Sequence, residues 1–555
     1  MEQQPRPEQE PPREGSRLWV VLTFLIGVLV LAGTLRTGRD RNGLATSDEA
    51  AYAEQADSLL DDGSLTVGFV RHYHVQYPAG IDHPEDFYPP GNGGLLALSR
   101  GLLGRTDFAS MVPSALLACL LLPLLTFFLA RAIGVCPPFA LVTALAVMFD
   151  AEVRELSIQG LADLPFVAFF LLAILIVLRR AGIPGVLLAG ASLAASYYFK
   201  PTAILFAPGL FLAHWIVARP GLRRLSLHGL LMAVAFLAVS GPWLVRNACL
   251  FDDPLYSGNK HLSATASDPH FEYNDIRKVY WADPEFELPS MGGTISRYGW
   301  RPVITRFLLH LYEAFVSKGA GVFSFWFLLG MLVLFRRPSV LAIIVVVFSF
   351  ALALSAVFAV ETRYLLPCVP LCLAVVFLLA QRTVAALDPA RFVAGTGLEW
   401  LAPLSRRLGR MNGAALLVGA IWLYPGLAAT GREAAFGVGS FAPGNETIRK
   451  SALWVDRNLP EDVRVMHQQA LRFHYYSRRR TVEFPFDGPD EIQAVVAHHR
   501  IGCIVFDPAA SYAIRTRKFL DAYLERYGDL WRLEKPEGLE IEVYRLRDGP
   551  ESGPR

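Results

Sequence analysis

Long apolar runs constrain this 555-residue chain more than any other feature, because they are too many and too long for the core of a water-soluble protein. They recur at about 18–35, 109–130, 137–149, 161–178, 184–199, 202–218, 228–246, 314–335, 339–359, 364–380 and 412–430. About 20 apolar residues cross a bilayer as a helix, so several runs suffice alone and the shorter ones suffice as tilted or paired spans. The expected fold is a mainly α, polytopic membrane helix bundle of about eleven transmembrane helices. Only 18% of the residues are charged, against roughly 25% in soluble domains. The balance of 52 basic to 50 acidic residues leaves a net charge of +2, too even for a nucleic-acid polycation, so no nucleic-acid partner is expected.

Arginine gives the direction of threading. Alternate connectors carry Arg131; Arg179 and Arg180; Arg219, Arg223 and Arg224; Arg336 and Arg337; and Arg382, Arg391, Arg406, Arg407 and Arg410. Such connectors face the cytoplasm. The intervening ones, including 150–159, 251–301 and 361–364, are acidic or mixed and face outward. Residues 1–17 form a polar leader with three arginines, which predicts a cytoplasmic N-terminal tail and an uncleaved first anchor rather than a removed signal peptide. The expected location is a bacterial inner (plasma) membrane, with residues 18–430 as the membrane core.

Two outward segments are too large to be turns. The first covers about 36–108; the second, 431–555, has the charge density of a soluble domain. Helix-like stretches at 446–458, 489–499 and 516–527 alternate there with strand-like ones at 463–466, 481–484, 503–506 and 539–544, which predicts a small extracytoplasmic α/β domain. The six cysteines, at 119, 136, 249, 368, 372 and 503, lack metal-ligand spacing and read as small apolar residues.

The first outward segment carries the candidate chemistry. The stretch Thr46–Ala56 reads as a capped helix lying on the membrane with Tyr52, Ala53 and Ala56 towards lipid and Asp48 above the bundle, where its carboxylate could act as a general base. Favourable interaction with the helix dipole accounts for Asp48 and Glu49 as well. Lys200, Arg246 and Arg363 fall at outward helix ends, where they either snorkel or bind phosphate. Asp150, Glu152 and Asp163 surround the second outward turn, where Asp163 could equally cap the following span. Arg71, His72, His74 and His83 could join a substrate or metal site, but their spacing fixes no coordination geometry, so no metal and no cofactor is assigned.

Asp48-Glu49 followed by Tyr52 and Ala56 resembles the first loop of the C-type glycosyltransferases, in the group of the dolichyl-phosphate-mannose protein mannosyltransferases and the lipid A aminoarabinose transferases. Further matches are Leu161-Ala162-Asp163-Leu164-Pro165-Phe166, Lys200-Pro201-Thr202, Gly241-Pro242-Trp243-Leu244-Val245-Arg246-Asn247 followed by Asp253-Pro254-Leu255-Tyr256, and Glu361-Thr362-Arg363-Tyr364-Leu365-Leu366-Pro367. They run in order over most of residues 1–380. The resemblance implies a polyprenyl-phosphate-linked sugar entering from the lipid bilayer, an extracytoplasmic acceptor, and inverting transfer with Asp48 as general base. It also implies a donor-phosphate clamp of Arg246, Arg363 and Lys200, with Glu49, Tyr52, Tyr88, Glu152 and Asp163 orienting substrate. One position departs from the aminoarabinose branch: Tyr88 stands before Pro89-Pro90 where a lysine approaches the donor phosphate, so neutralisation must come from elsewhere. Two rival readings are a lipid-diphosphate-dependent oligosaccharyl transferase that uses a divalent metal, and a non-enzymatic transporter or envelope scaffold. The scaffold reading would place polar residues mid-span, yet the spans are almost free of charge.

Overall fold

The computed structural model describes residues 15–39, 41, 43–180, 182–260, 272–283, 291–317, 324–357, 362–386 and 443–547. The expected span at 412–430, the leader at 1–14, Glu361, and the arginines at 391, 406, 407 and 410 lie outside them.

Helices dominate, in the order α1 (Gly15–Gly38), α2 (Ser47–Asp61), α3 (Pro90–Leu103), α4 (Asp107–Leu116), α5 (Leu122–Ala132), α6 (Pro137–Met148), α7 (Ala151–Leu156), α8 (Asp163–Arg179), α9 (Ile183–Tyr197), α10 (Ala207–Ala218) and α11 (Leu222–Phe251). There follow α12 (Met291–Tyr298), α13 (Trp300–Tyr312), α14 (Phe325–Leu334), α15 (Pro338–Val357) and α16 (Cys368–Ala386). The last four are α17 (Pro443–Asn458), α18 (Ala470–Ser477), α19 (Pro489–His499) and α20 (Ala513–Tyr527). Six helical stretches among the described residues are long and apolar enough to cross a membrane, and α6, α9 and α14 are shorter apolar helices. The chain is a multi-pass membrane helix bundle. The run at 314–335 differs from expectation, for it holds the end of one helix and the start of another: α13 continues through a π-helical turn to Ser317, and Ser324 caps α14 through the Phe327 amide. Serine is a strong N-cap because its oxygen accepts from an amide that has no partner inside the helix, so a new helix starts there.

Lipid gives no hydrophobic drive to bring helices together, so the bundle packs by close backbone approach and ring contact. A Cβ on Gly190 of α9 would clash with the Met232 carbonyl oxygen of α11, and one on Gly209 of α10 would clash with the Ser349 hydroxyl of α15. Phe206 stacks on Phe350 at 3.8 Å between ring centres and meets Phe170 at 3.7 Å, tying α8, α15 and the turn before α10 together. At one end of the bundle the arginine-bearing turns meet, as where the Arg179 side chain reaches the Phe128 carbonyl and the Cys136 amide donates to Gln381. At the other end the 43–104 segment, the turns before α8 and α10, and the 362–367 turn converge beneath the C-terminal domain.

Among the described residues there are eight strands: β1 (Thr66–Val67), β2 (Phe69–Val70), β3 (His83–Pro84), β4 (Arg464–His467), β5 (Thr481–Glu483), β6 (Ile501–Phe506), β7 (Trp531–Glu534) and β8 (Glu542–Leu546). Strands β1 and β3 form an antiparallel pair, while a six-stranded sheet runs β2-β5-β4-β6-β8-β7. The sheet therefore draws one edge strand from the first loop: Phe69 and Val70 pair in parallel with Thr481 and Val482. The loop and the C-terminal domain thus share one sheet.

Candidate active site

Helix α2 sets the position of the first acidic pair. Thr46 caps it by accepting from the Glu49 amide at 3.1 Å. Tyr52, Ala53 and Ala56 are buried inside the protein rather than turned to lipid, because α3 and α18 cover that side of the helix. Glu49 is wholly buried and structural in its contacts: it is bound by Arg41 and by the amides of Ala45 at 2.8 Å and Gly160 at 2.6 Å. Asp48, its neighbour, faces a cavity.

The carboxylate of Asp48 accepts from the Tyr88 hydroxyl at 2.6 Å and from Arg363 Nη1 at 3.2 Å, and Arg71 Nη2 stands 3.6 Å away. Burial pushes its pKa up, but Arg363, then Arg71, the Tyr88 hydrogen bond and Lys200 together hold it below the ordinary carboxylate value. Asp48 is therefore anionic throughout the neutral range. Arg71 lies over the Phe87 ring at 3.9 Å and the Tyr88 ring at 4.9 Å, and its Nη1 is buried with no hydrogen-bond partner among the described residues. That guanidinium supplies the positive charge that Tyr88 cannot. Sequence reasoning noted Arg71 but left it out of the clamp; its signal was a strand-like stretch ending at Val70, which places it at a strand end.

The remaining expected residues divide. Lys200 pairs with Asp163 at 2.5 Å, which engages Asp163 in an ion pair instead of a helix cap. Tyr52 packs on Tyr88 with ring centres 4.7 Å apart. Glu152 lies on α7, where burial and then Glu155, Asp150 and Asp163 raise its pKa against the pull of Arg363. Arg246 is placed apart from this group: it donates to the Glu85 carbonyl at 2.8 Å and covers Trp243 at 4.5 Å, and it does not line the cavity. Among the described residues there is no group of three or more His, Cys, Asp and Glu side chains suited to a metal ion. His72 and His83 instead surround Asp86, to which the Tyr77 hydroxyl donates at 2.6 Å.

Two cavities meet at Asp48. The first, about 220 Å³, runs into the bundle, where Phe166, Phe199, Phe350 and Leu354 give it apolar walls and Lys200, Arg71 and Arg363 stand at its polar end. The second, about 500 Å³, opens towards the C-terminal domain, and Leu471, Glu483 and Tyr512 of that domain line it with Glu152 and Arg277. Asp48, Arg71, Leu161 and Arg363 belong to both. An apolar channel that ends in cations suits a lipid phosphate, and a carboxylate between two chambers suits proton transfer from a group arriving in the other.

The sequence profile of the dolichyl-phosphate-mannose-protein mannosyltransferases matches residues 82–245. Among solved structures the chain is similar to ArnT from Cupriavidus metallidurans bound to undecaprenyl phosphate, with a TM-score of 0.54 at 16% identity over 97% of this chain and 99% of that one. It is also similar to the Archaeoglobus fulgidus oligosaccharyltransferase in its apo form, with a TM-score of 0.57 at 13% identity over 89% and 70% of the two chains. The oligosaccharyltransferase AglB from Archaeoglobus fulgidus, in complex with an inhibitory peptide and a dolichol-phosphate, gives a TM-score of 0.56 at 13% identity over 97% and 75%. No curated protein matches the chain by sequence.

Proposed function

From the premise that this chain has the C-type glycosyltransferase fold, we propose that it is a membrane glycosyltransferase that moves a sugar from a polyprenyl-phosphate donor to an extracytoplasmic acceptor. One observation carries the reading: Asp48 stands with Arg71 and Arg363 in the wall shared by two chambers, and Lys200 adds a further cation on the side of the apolar one. The lipid tail occupies the channel and the phosphate takes the cations. An acceptor hydroxyl enters from the second chamber and attacks the anomeric carbon. As the new carbon–oxygen bond forms, the bond to phosphate oxygen breaks and the phosphate leaves with the electron pair, while Asp48 takes the hydroxyl proton. The single displacement inverts the anomeric carbon.

A carboxylate with a depressed pKa is a weak base in the free enzyme. Donor phosphate corrects this, because it draws Arg363 and Arg71 to itself and lessens their hold on Asp48. Phosphate is a good leaving group when its charge is neutralised, so no separate strong acid is required. On this reading residues 431–555 and the 36–108 segment lie on the extracytoplasmic side and the arginine-rich turns inside.

Asp48→Asn tests the proposal, since it removes the base and preserves size. Turnover of a polyprenyl-phosphate sugar should fall by on the order of 100-fold or more while lipid binding is retained. Unchanged turnover overturns the reading. Addition of a chelator separates it from the metal-dependent diphosphate reading, which requires activity to collapse.

A further inference from the structure

The C-terminal sheet presents a particular edge to Asp48. Strand β4 is followed by β5 on one side, and the chain then crosses back to place β6 on the other, so the winding reverses between β4 and β6. In open α/β sheets, ligands bind outside the carboxyl ends of the strands at such a reversal. Glu483 ends β5, Leu471 lies in the first turn of α18 after β4, and Tyr512 follows β6; all three line the second chamber.

Arg277 completes that wall. It is 92% buried, since only 8% of its surface is exposed. It pairs with Glu483 and is flanked by the rings of Phe486 and Tyr512, each 4.6 Å from the guanidinium carbon. Its Nη1 nevertheless has no hydrogen-bond partner among the described residues. A buried guanidinium N–H left unpaired is costly and points to an oxygen that arrives with a ligand. Glu152 and Glu155 line the same chamber; neither has an ion-pair partner among the described residues, and Glu155 accepts from Gln159 at 3.5 Å.

We infer that the second chamber is the acceptor site and that it takes a neutral, hydroxyl-rich acceptor, the end of a glycan, through Arg277 on one wall and Glu152 and Glu155 on the other. This rests on the glycosyltransferase reading above and adds the substrate class. The chamber is lined by four carboxylates, Asp48, Glu152, Glu155 and Glu483, and three guanidiniums, Arg71, Arg277 and Arg363. A donor phosphate makes it more negative still. An anionic acceptor is repelled by Glu152 and Glu155, and an ammonium group, which only donates, cannot accept from Arg277. A hydroxyl both accepts and donates, so a polyol satisfies the two walls together.

The test uses the full-length protein in lipid nanodiscs, with saturation-transfer NMR of methyl glucoside, glucuronate, putrescine (a cation that only donates) and a serine-containing hexapeptide. Methyl glucoside should bind more tightly than the other three. Arg277→Gln combined with Glu483→Gln, which removes both members of the buried pair and so avoids stranding one charge, should weaken it by about fivefold, the loss of roughly one hydrogen bond. Glu152→Gln with Glu155→Gln should weaken it by a similar factor and should also admit glucuronate, a gain that damaged packing would not produce. Tighter binding of glucuronate, putrescine or peptide, or methyl glucoside binding that neither double variant alters, overturns the inference. Undecaprenyl phosphate binding is read in the same nanodiscs: its absence beside intact glycoside binding defeats the donor reading alone, and the reverse defeats this inference alone.

Discussion

Arg100→Met is the substitution whose cost the structure determines most directly. Arg100 and Asp57 are 1% and 2% exposed, and they form a bidentate pair with contacts of 2.9 and 3.0 Å from Nη2 and 3.1 Å from Nε. The same guanidinium donates through Nη1 to Ser110 at 2.9 Å and to the Tyr475 hydroxyl at 3.1 Å. One side chain therefore joins α2, α3, α4 and α18. Loss of one partner from a buried pair costs about 3 to 5 kcal/mol, because the other charge is left uncompensated. Here Arg478 still reaches Asp57 at 3.1 Å, but its side chain is 54% exposed and offsets at most about 1 kcal/mol. The expected loss is thus about 3 kcal/mol. Asp57→Asn should cost a similar amount by stranding Arg100, and the double variant should cost less than the sum by about 2 kcal/mol. Unfolding in mixed micelles of rising SDS fraction measures all three. A loss below about 1 kcal/mol for Arg100→Met, or strict additivity, refutes the argument. Asp57 lies nine residues beyond Asp48 on one helix, about 13 Å along its axis, so Arg100→Met should also lower turnover by loosening the helix that carries the proposed base.

Three further outcomes follow from the site. Asp48 has a lowered pKa, so its stabilising ionisation is present above the unfolded carboxylate value and is lost only as pH falls through the lower folded value; the profile of kcat/KM, which reports the enzyme without donor, should be flat from neutral pH down through the ordinary carboxylate range, and Arg363→Gln should move its acid limb up. His474 is the opposite case: burial lowers its pKa, but Glu54 at 2.9 Å raises it further, giving a net rise, so its contribution is complete below the unfolded imidazole value and is lost as pH rises through the folded one. Melting temperatures between pH 6 and 8 should fall on the alkaline side in the wild type, and that slope should vanish in His474→Gln. Glu49→Gln keeps its volume but breaks the buried pair with Arg41, so it should destabilise by about 3 kcal/mol in the same SDS titration and reduce turnover without touching the cavity.

The bundle was legible because its signal is local. A run of apolar residues and the arginines beside it lie within one window of sequence, and most of the expected spans match helices in the structure. The split at Ser317 and Ser324 escaped that window because an apolar run carries no mark of where a helix breaks except its cap. The C-terminal helices and strands were also legible, apart from α18 and β7, which are four to eight residues long. The assembly of the site was not. Strand β2 is two residues long and pairs with β5 more than 400 residues away, and nothing in either stretch names its partner. Glu49 and Asp48 are adjacent in sequence with like side chains, yet one is sealed by two amides and an arginine while the other meets a cavity; helix phase and the Arg41 loop decide this. Arg277 carried no signal, since its meaning lies in an unpaired nitrogen.

The shared sheet has a mechanistic consequence. Asp48 lies in the first turn of a helix that is held further along by His474 of α18, which pairs with Glu54, and by Arg478 just past the end of α18, which pairs with Asp57, while β2, one residue before Arg71, is bound edge to edge with β5. The same C-terminal domain that lines the second chamber therefore also fixes Asp48, the proposed base, and Arg71, one cation of the first. In an in-line displacement the nucleophile must approach the anomeric carbon opposite the leaving oxygen, so the two chambers have to be held in register about a common wall. A domain joined to the bundle only by a flexible link could not do this. A sheet that takes a strand from each partner transmits position without slack, because a slip of one residue in the β2–β5 register would turn every side chain on β2 to the other face. Replacement of Val70 by proline, which removes an amide and stiffens the backbone one residue before Arg71, should accordingly reduce transfer to an acceptor more than it reduces binding of undecaprenyl phosphate. Equal losses would show that β2 serves folding alone.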